Sequence, residues 1–559
     1  MKKQLLLISF IFCVTIAMRA QRPVLRINTT QIGDVDISIT LKADRDNTPF
    51  QVDFGNGLQD IVINRTATLI SGTLATDELK LYGDSERITY LKCYNQGAIS
   101  IYLTELKDLT HLDCSYNDLT SLDVRQCNKL VELRCVNNKI KELNLVLLSK
   151  LQKVACYGNQ LTVLSLYYND ALEELNCDIN KLTTLNIKAA PKLKVLRCNN
   201  NQLEELNCFE TPELVTLQCR GNELTSLNVM RCPDLIDLQC SANNLDRLFI
   251  WDNKKLIYLY CGFNKLTTLD LTKNTELIKF YCGWNKFTAI DVSKNTKLME
   301  LECSTNQLTG LNTSGLTQLK WLKCYNNDIE SLNFNTNTLL NTVDCSGNKL
   351  SQLDVSSNSL LRDLECGNNR FTLATLPVLS SYSTYGYENQ QPLAIAKDMA
   401  IAQNIDLSDQ DDINGESTSY VWKLKDGTLL SAGTDFTVLS GQTTFHRVPS
   451  DSVYCEMTNP IFPALTGDLA YKTTCTKIQV ATALESIDES VVRVWGGNQY
   501  ISVEMDLSAQ VTVYNTSGQV IGSEYVPDGS ANIVVPHNGV YIVLVEGKDF
   551  KLTRKVYIR

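Results

Sequence analysis

The sequence predicts a mainly β chain: a right-handed solenoid with a parallel sheet, followed by two small β-sandwich domains. Three observations carry this reading. Cysteines recur at every 21st position from Cys93 to Cys366, fourteen in all. Asparagine follows three residues after each, from Asn117 to Asn369, with Gln96 in the first repeat as the exception. Past residue 376 the period stops, and short alternating segments separated by turn residues take over. A fixed period of this length marks stacked structural repeats, and strict alternation marks strands.

Composition sets the frame. The chain has 559 residues, 44% hydrophobic and 20% charged, which suits globular domains with real cores. Its net charge of −10 argues against nucleic acid, which needs a basic surface to displace counterions. Lys2 and Lys3 precede an apolar run from Leu5 to Met18, and small residues follow. Residues 1–20 therefore read as a secretory signal peptide, cut after Ala20. The run is shorter than the roughly 20 residues that span a bilayer. Cys13 sits behind bulky Phe10, Ile11 and Phe12, a poor context for lipidation. No later segment is long and apolar enough to be a stable transmembrane span.

Within the repeats an aliphatic residue or phenylalanine stands two before the cysteine, as at Leu112, Val154 and Phe280. Apolar residues recur five and eight after it, as at Leu119 and Leu122, and a leucine sixteen after, as at Leu130 and Leu256. The stretch L-x-C alternates inward and outward as a strand must. Fourteen short strands at about 4.8 Å each would stack into a rod of roughly 60–70 Å. Cys114, Cys135 and Cys240, with Asn117, Asn138 and Asn243, exemplify the structural ladder. The asparagines are expected to turn inward and bond the backbone of neighbouring turns, since buried polar groups need partners.

This unit, L-x-x-L-x-C-x-x-N-x-L-x-x-L-x-V/L, resembles the leucine-rich repeat with cysteine in place of a leucine. It is most similar to the internalin J type, with its 21-residue repeats and cysteine ladder, over residues 88–376. The resemblance implies adhesion to host molecules or to other bacteria, and hence biofilm and virulence. A metal site needs ligands converging on one point, whereas a ladder spreads them along a line. Parallel in-register side chains also miss the disulfide dihedral. The ladder is therefore expected to be free, buried thiols acting as small hydrophobes. Outside it, Cys127 and Cys232 share a phase five repeats apart and cannot bond each other, and Cys208 replaces an aliphatic core residue.

The flanks complete the organisation. Residues 21–87 alternate at 36–41 and 50–54 around a Gly55-Asn56-Gly57 turn, giving a β-rich N-terminal cap for the exposed end of the solenoid. Residues 377–480 carry Trp422 and a later Tyr454-Cys455, which resembles an immunoglobulin-like β-sandwich lacking its first cysteine. Cys455 and Cys475 fall on successive strands and are either bonded or two free thiols. The acidic run at 409–412 does not match a calcium loop and reads as a solvated turn. Residues 485–559 contain Val511-Thr-Val-Tyr-Asn-Thr-Ser-Gly-Gln-Val520 and Gly539-Val-Tyr-Ile-Val543, and a basic strand closes the chain. This resembles the C-terminal sorting domain of the type IX secretion system of Bacteroidetes, with tight turns expected at Gly518 and Gly539. It implies type IX secretion machinery as a partner, and a place at the outer cell surface.

No catalytic constellation stands out. The three histidines, His111, His446 and His537, fall in different domains, and no nucleophile elbow, zinc-helix motif or P-loop is present. Catalytic residues, metal and cofactors are all expected to be none. The leading function is a non-enzymatic adhesin that binds a host or bacterial surface protein or glycan through the concave repeat face. A glycan- or nutrient-capture protein and a structural surface component are the alternatives. Residues three before, one before and one after each cysteine should point out of the sheet. Tyr258, Tyr260, Tyr281, Trp321 and Tyr325 occupy such positions, and Trp284 and Phe263 lie at the strand edge. These rings are the candidate ligand-binding patch. Against it stands cross-strand aromatic pairing that only stabilises the sheet.

Overall fold

The computed structural model describes residues 22–30, 35–379, 381–480, 492–497, 499–505, 508–527, 529–547 and 551–558. The expected signal peptide, residues 1–20, lies outside them. The regular elements of the described chain are almost all β-strands, and the chain divides into two compact units that part near residue 391.

The first unit is a parallel β-solenoid. Each turn after the first contributes a three-residue strand ending one residue before its cysteine, as in His111–Asp113, Glu132–Arg134 and Lys153–Ala155. Strands pair in register one period apart, so Leu112, Leu133 and Val154 share a row. The cysteine amides extend the ladder: the Cys114 N–H donates to the Arg134 carbonyl at 2.8 Å and the Cys240 N–H to that of Tyr260 at 2.8 Å. The sheet also runs past the last cysteine. Thr384–Gly386 pairs parallel with Asp363–Glu365, and Tyr387 and Gln390 stand where cysteine and asparagine would. Gln390 Nε2 donates to the Cys366 carbonyl at 3.0 Å, the bond an asparagine makes elsewhere.

The strands are short because the chain bends inward two residues after each cysteine. That residue adopts a left-handed conformation along the whole column, with φ from 50° at Asn137 to 68° at Gly158. Its amide is held by the next turn, as when Asn137 N–H donates to the Tyr157 carbonyl at 2.9 Å. The bend delivers the asparagine into the coil. Asn138 Nδ2 donates to the carbonyls of Cys114 (3.1 Å) and Cys135 (3.2 Å), while its Oδ1 accepts from Leu119 N–H (3.0 Å). Asn243 does the same with Cys219, Cys240 and Leu224. Asn117 bonds the carbonyls of Cys93 and Cys114 and accepts from Gln96 and Ala98. Every bond joins adjacent turns or closes one.

A second polar column, not anticipated from sequence, lies thirteen residues after the cysteine in many turns, with Leu106, Leu148, Ala190 and Leu316 interrupting it. Asn253 Nδ2 donates to the carbonyls of Val229 (3.0 Å) and Cys232 (2.8 Å), and Asn274 and Asn295 repeat the pattern. Cys127 and Cys232 occupy this same column. The Cys232 thiol substitutes for the amide, donating to the Cys208 carbonyl at 3.4 Å.

The N-terminal cap grips the first turn on two sides. Val35–Ala43 pairs antiparallel with Ile88–Lys92, which leads into the repeat sheet through His111–Asp113. Leu25–Thr29 pairs antiparallel with Ala98–Tyr102, the far side of the first turn. Both capping strands bury alternate residues, Leu25 and Ile27 on one and Ile37, Ile39 and Leu41 on the other. The expected turn is present: Asp53 Oδ1 accepts from Gly55 and Gly57 amides, both residues being left-handed.

The second unit holds two β-rich parts. In the first, Ser419–Leu424 pairs with Val453–Thr458, and Asn404–Asp406, Gln442–Phe445 and Phe436–Leu439 form a second sheet. Trp422 is fully buried, its ring 5.2 Å from that of Phe445 and its Nε1 donating to Thr443 Oγ1 at 3.1 Å. Cys455 lies opposite Trp422 and is buried, whereas Cys475 is exposed. Cys455 N–H bonds Thr473 Oγ1, which sets Thr473 rather than Cys475 across from it, and both thiols are free. The second part pairs Val520–Val526, Ala509–Asn515, Gly539–Gly547 and Lys551–Ile558 in one sheet and Val492–Gly496, Tyr500–Met505 and Gly529–Val534 in another. Val503, Val511, Val543 and Val545 fill the core of these strands. Gly518 forms the expected turn with φ of 82°. Gly539 does not: it is the first residue of a strand, and the turn precedes it.

The thiols of the ladder are all free and buried. Burial pushes those of Cys135 and Cys240 up to about 12, so both stay protonated at neutral pH. Among the cysteines of the described residues, native protein at pH 8 should therefore react with a thiol reagent rapidly at Cys475 alone, the others becoming reactive only on denaturation. Cys135→Leu should be tolerated. Cys135→Ser should lower unfolding free energy by about 1–3 kcal/mol by burying an unpaired hydroxyl, as read from chemical denaturation.

Candidate functional site

Because the register step is one full period, side chains at a given position form columns about 4.8 Å apart across the sheet face. Two columns, three and one before the cysteine, are half-exposed through the middle repeats. The column one after the cysteine is mixed: the small side chains of Ser115, Val136 and Ser304 are buried there, Tyr325 is half-buried, and Tyr94 and Arg220 are exposed.

Tyr258, Tyr260, Tyr281, Trp321 and Tyr325 are all half-buried, lying against the sheet rather than standing free of it. The structure brings three of them together. Tyr260 and Tyr281 meet edge to face with centroids 5.0 Å apart, and Tyr281 stacks on Trp321 at 5.6 Å and 24°. The second contact skips a strand, since Glu300–Glu302 lies between. Tyr281 leans across that strand and its hydroxyl donates to Glu300 Oε2. Lys279 Nζ reaches the other oxygen of Glu300 at 2.8 Å, and Lys323 Nζ sits 5.1 Å from the Trp321 centroid. Tyr258 and Tyr325 share the sheet but join neither this group nor the one at the strand edge.

Electrostatics fix the arrangement. Partial burial opposes ionisation of Glu300, but the hydrogen bonds from Lys279 and Tyr281 outweigh it and hold the carboxyl below its ordinary range. Burial, then the bond to Glu300, pushes the Tyr281 phenol well up, so it remains a neutral donor. Glu300 is thus the anchor that orients Tyr281, a residue the sequence reading passed over among many surface carboxylates.

At the strand edge Phe263 and Trp284 stack with centroids 5.1 Å apart and planes 8° from parallel, both about half exposed. Both occupy the left-handed column, with φ of 55° and 56°. Asparagine and glycine hold most of that column at little cost; a bulky residue there is strained by roughly 1–3 kcal/mol. Between the two ring groups run Gly262 and Gly283, which keep the floor at backbone height. A Cβ on Gly283 would stand 2.3 Å from a Glu302 carboxylate oxygen, and that carboxylate accepts the Gly283 N–H at 2.9 Å. A further aromatic group, at the first two turns, also went unnoticed in the sequence: Tyr94 and Tyr116 rings lie 5.0 Å apart, and Tyr90 faces His111 at 6.2 Å. Among the described residues no cluster of histidine, cysteine or acidic side chains could hold a metal ion, and no helix is long and apolar enough to cross a membrane.

A cysteine-laddered leucine-rich-repeat solenoid is the class this geometry defines. The functional domain of InlJ from Listeria monocytogenes, whose structure "includes a cysteine ladder", is similar to this chain at 26% identity and a TM-score of 0.52. The alignment covers 73% of this chain and 94% of that one. An internalin, InlF, of the same organism aligns at 22% identity over 54% of this chain and 87% of its own, with a TM-score of 0.45. YopM, a leucine-rich effector protein from Yersinia pestis, aligns at 25% identity over 54% and 83%, with a TM-score of 0.44. Residues 481–554 match a family described as a domain of unknown function, DUF6383. No curated protein matches the chain.

Replacing Phe263 and Trp284 together with Asn restores the residue the column prefers. The relieved backbone strain, roughly 1–3 kcal/mol per residue, offsets a lost ring pair of about 0.5–1.5 kcal/mol. The double variant should melt at or above the parent temperature, as calorimetry would show.

Proposed function

We propose that this protein is a non-enzymatic adhesin displayed at the outer cell surface, gripping a protein on a host cell or neighbouring bacterium through the aromatic face of turns nine to twelve. The observation that carries the reading is the Tyr260–Tyr281–Trp321 group, set on in-register strands and oriented by Glu300. Tyrosine and tryptophan dominate binding hot spots because they offer large contact area with few rotatable bonds. Rings fixed before contact lose little entropy on binding. The strained, exposed Phe263–Trp284 pair extends the same surface, and backbone strain of this kind clusters at functional positions. Changing Tyr260, Tyr281 and Trp321 to Ala together should abolish adhesion while destabilising the fold by no more than about 2 kcal/mol. Adhesion equal to the parent's would move the contact to another surface.

We further propose that residues 485–559 direct export as a type IX sorting domain and are removed on the way, leaving a mature form without either end. The support is the sequence resemblance, together with a compact sandwich built from these residues. Cells expressing a chain truncated before residue 485 should hold the protein in the periplasm. Surface labelling of the truncated protein would refute the sorting role.

A further inference from the structure

Nine residues after the cysteine, on the side of the coil away from the main sheet, ten of the fourteen turns carry Asn or Asp and make an Asx turn; Tyr102, Ser165, Phe249 and Thr375 hold the other positions. Asn207 and Asn228 Oδ1 accept the amides of Phe209 and Met230, and Asp270 and Asp291 those of Thr272 and Ser293, at 2.9–3.1 Å. Asp123, Asn144, Asn186, Asn312, Asn333 and Asp354 do the same. In the middle of this column stands Phe249, which has no acceptor to offer. Two residues on is Trp251, where the next turns carry Thr272 and Ser293. The chain gives up a local hydrogen bond here and gains two exposed rings, Phe249 at 45% and Trp251 at 41%, with centroids 5.0 Å apart and planes at 48°.

The rings border a built hollow. On this side Glu205–Asn207 pairs with Ser226–Asn228, and a bridge from Asn228 to Phe249 continues the ladder. The next turn, Thr267–Asp270, carries no strand. A cavity of about 440 Å³ lies between it and Asp246–Trp251. Arg247, Asp246, Asp270, Thr267 and Thr268 share its lining with the two rings.

We infer that this hollow is a carbohydrate subsite for a neutral pyranose, separate from the aromatic face of the main sheet. Its volume is that of a small-ligand site, and its ten lining residues fall short of the roughly 20–30 a side of a stable protein interface. The negative faces of the rings suit the C–H face of a sugar. Two carboxylates, a guanidinium and two hydroxyls supply acceptors and donors for sugar hydroxyls. An apolar ligand would leave those groups unpaired, and two carboxylates against one guanidinium disfavour an anion.

The test uses the full mature chain, titrated with a panel of free neutral oligosaccharides of hexose, deoxyhexose and N-acetylhexosamine by saturation-transfer NMR and calorimetry. At least one member should bind the parent, and Phe249→Asn with Trp251→Thr should weaken it about tenfold or more. Those substitutions install residues that the same columns carry elsewhere, so melting temperature should hold. Arg247→Ala, which keeps both rings, is the second variant and should also weaken binding. The inference is overturned if no panel member binds the parent at millimolar concentration, or if binding survives both variants.

Discussion

The structure rests on a buried amide. A turn of this solenoid contributes a strand of only three residues to the main sheet, too little pairing to hold the coil alone. The bend after each strand carries backbone groups that no regular ladder satisfies. The asparagine three residues past the cysteine answers both problems, donating to two carbonyls one turn apart and accepting an amide from the turn before. Leaving such groups unpaired in the core would cost about 1–3 kcal/mol each. The asparagine therefore appears in every cysteine-bearing turn but the first, where Gln96 accepts from Ser38 of the cap instead.

Once that bond fixes the register, the inward positions hold apolar groups, from aliphatic chains to Phe280 and Phe287, and cysteine fits as a compact hydrophobe. The outward positions are released from structural duty. They can carry rings, carboxylates or lysines without altering the coil, and neighbouring turns are joined by exposed ion pairs such as Lys297–Glu276 and Lys349–Asp328. Exposed pairs of this kind contribute about 0–1 kcal/mol each, so the face is chemically free in a way the core is not.

The same rigidity makes departures from the pattern informative. A left-handed bend that accepts asparagine at little cost carries Phe263 and Trp284 instead, and a column of Asx turns breaks at Phe249. Both departures set a pair of rings in solvent. They fall on opposite sides of the coil and in neighbouring turns, so the middle of the solenoid presents two chemically distinct aromatic surfaces.

Much of this was legible in residue order. The 21-residue spacing determined the solenoid, the inward cysteines and the asparagine bonds, because one period applied to every turn leaves each column a single environment. Spacing also named the column in which each outward ring stands. It could not give the lean of a side chain. That Tyr281 crosses a whole strand to stack on Trp321, while Tyr258 and Tyr325 stay apart, depends on the Glu300 carboxylate one turn away. Where the chain bends also lay beyond the pattern: in the column after the cysteine Ser304 and Val136 are buried, while Tyr94 and Arg220 are exposed. Where the cysteine signal stops, Tyr387 and Gln390 carry the coil one turn further by the same hydrogen bonds from different side chains. Local periodicity encodes which face a residue takes; contacts between turns decide what that residue meets.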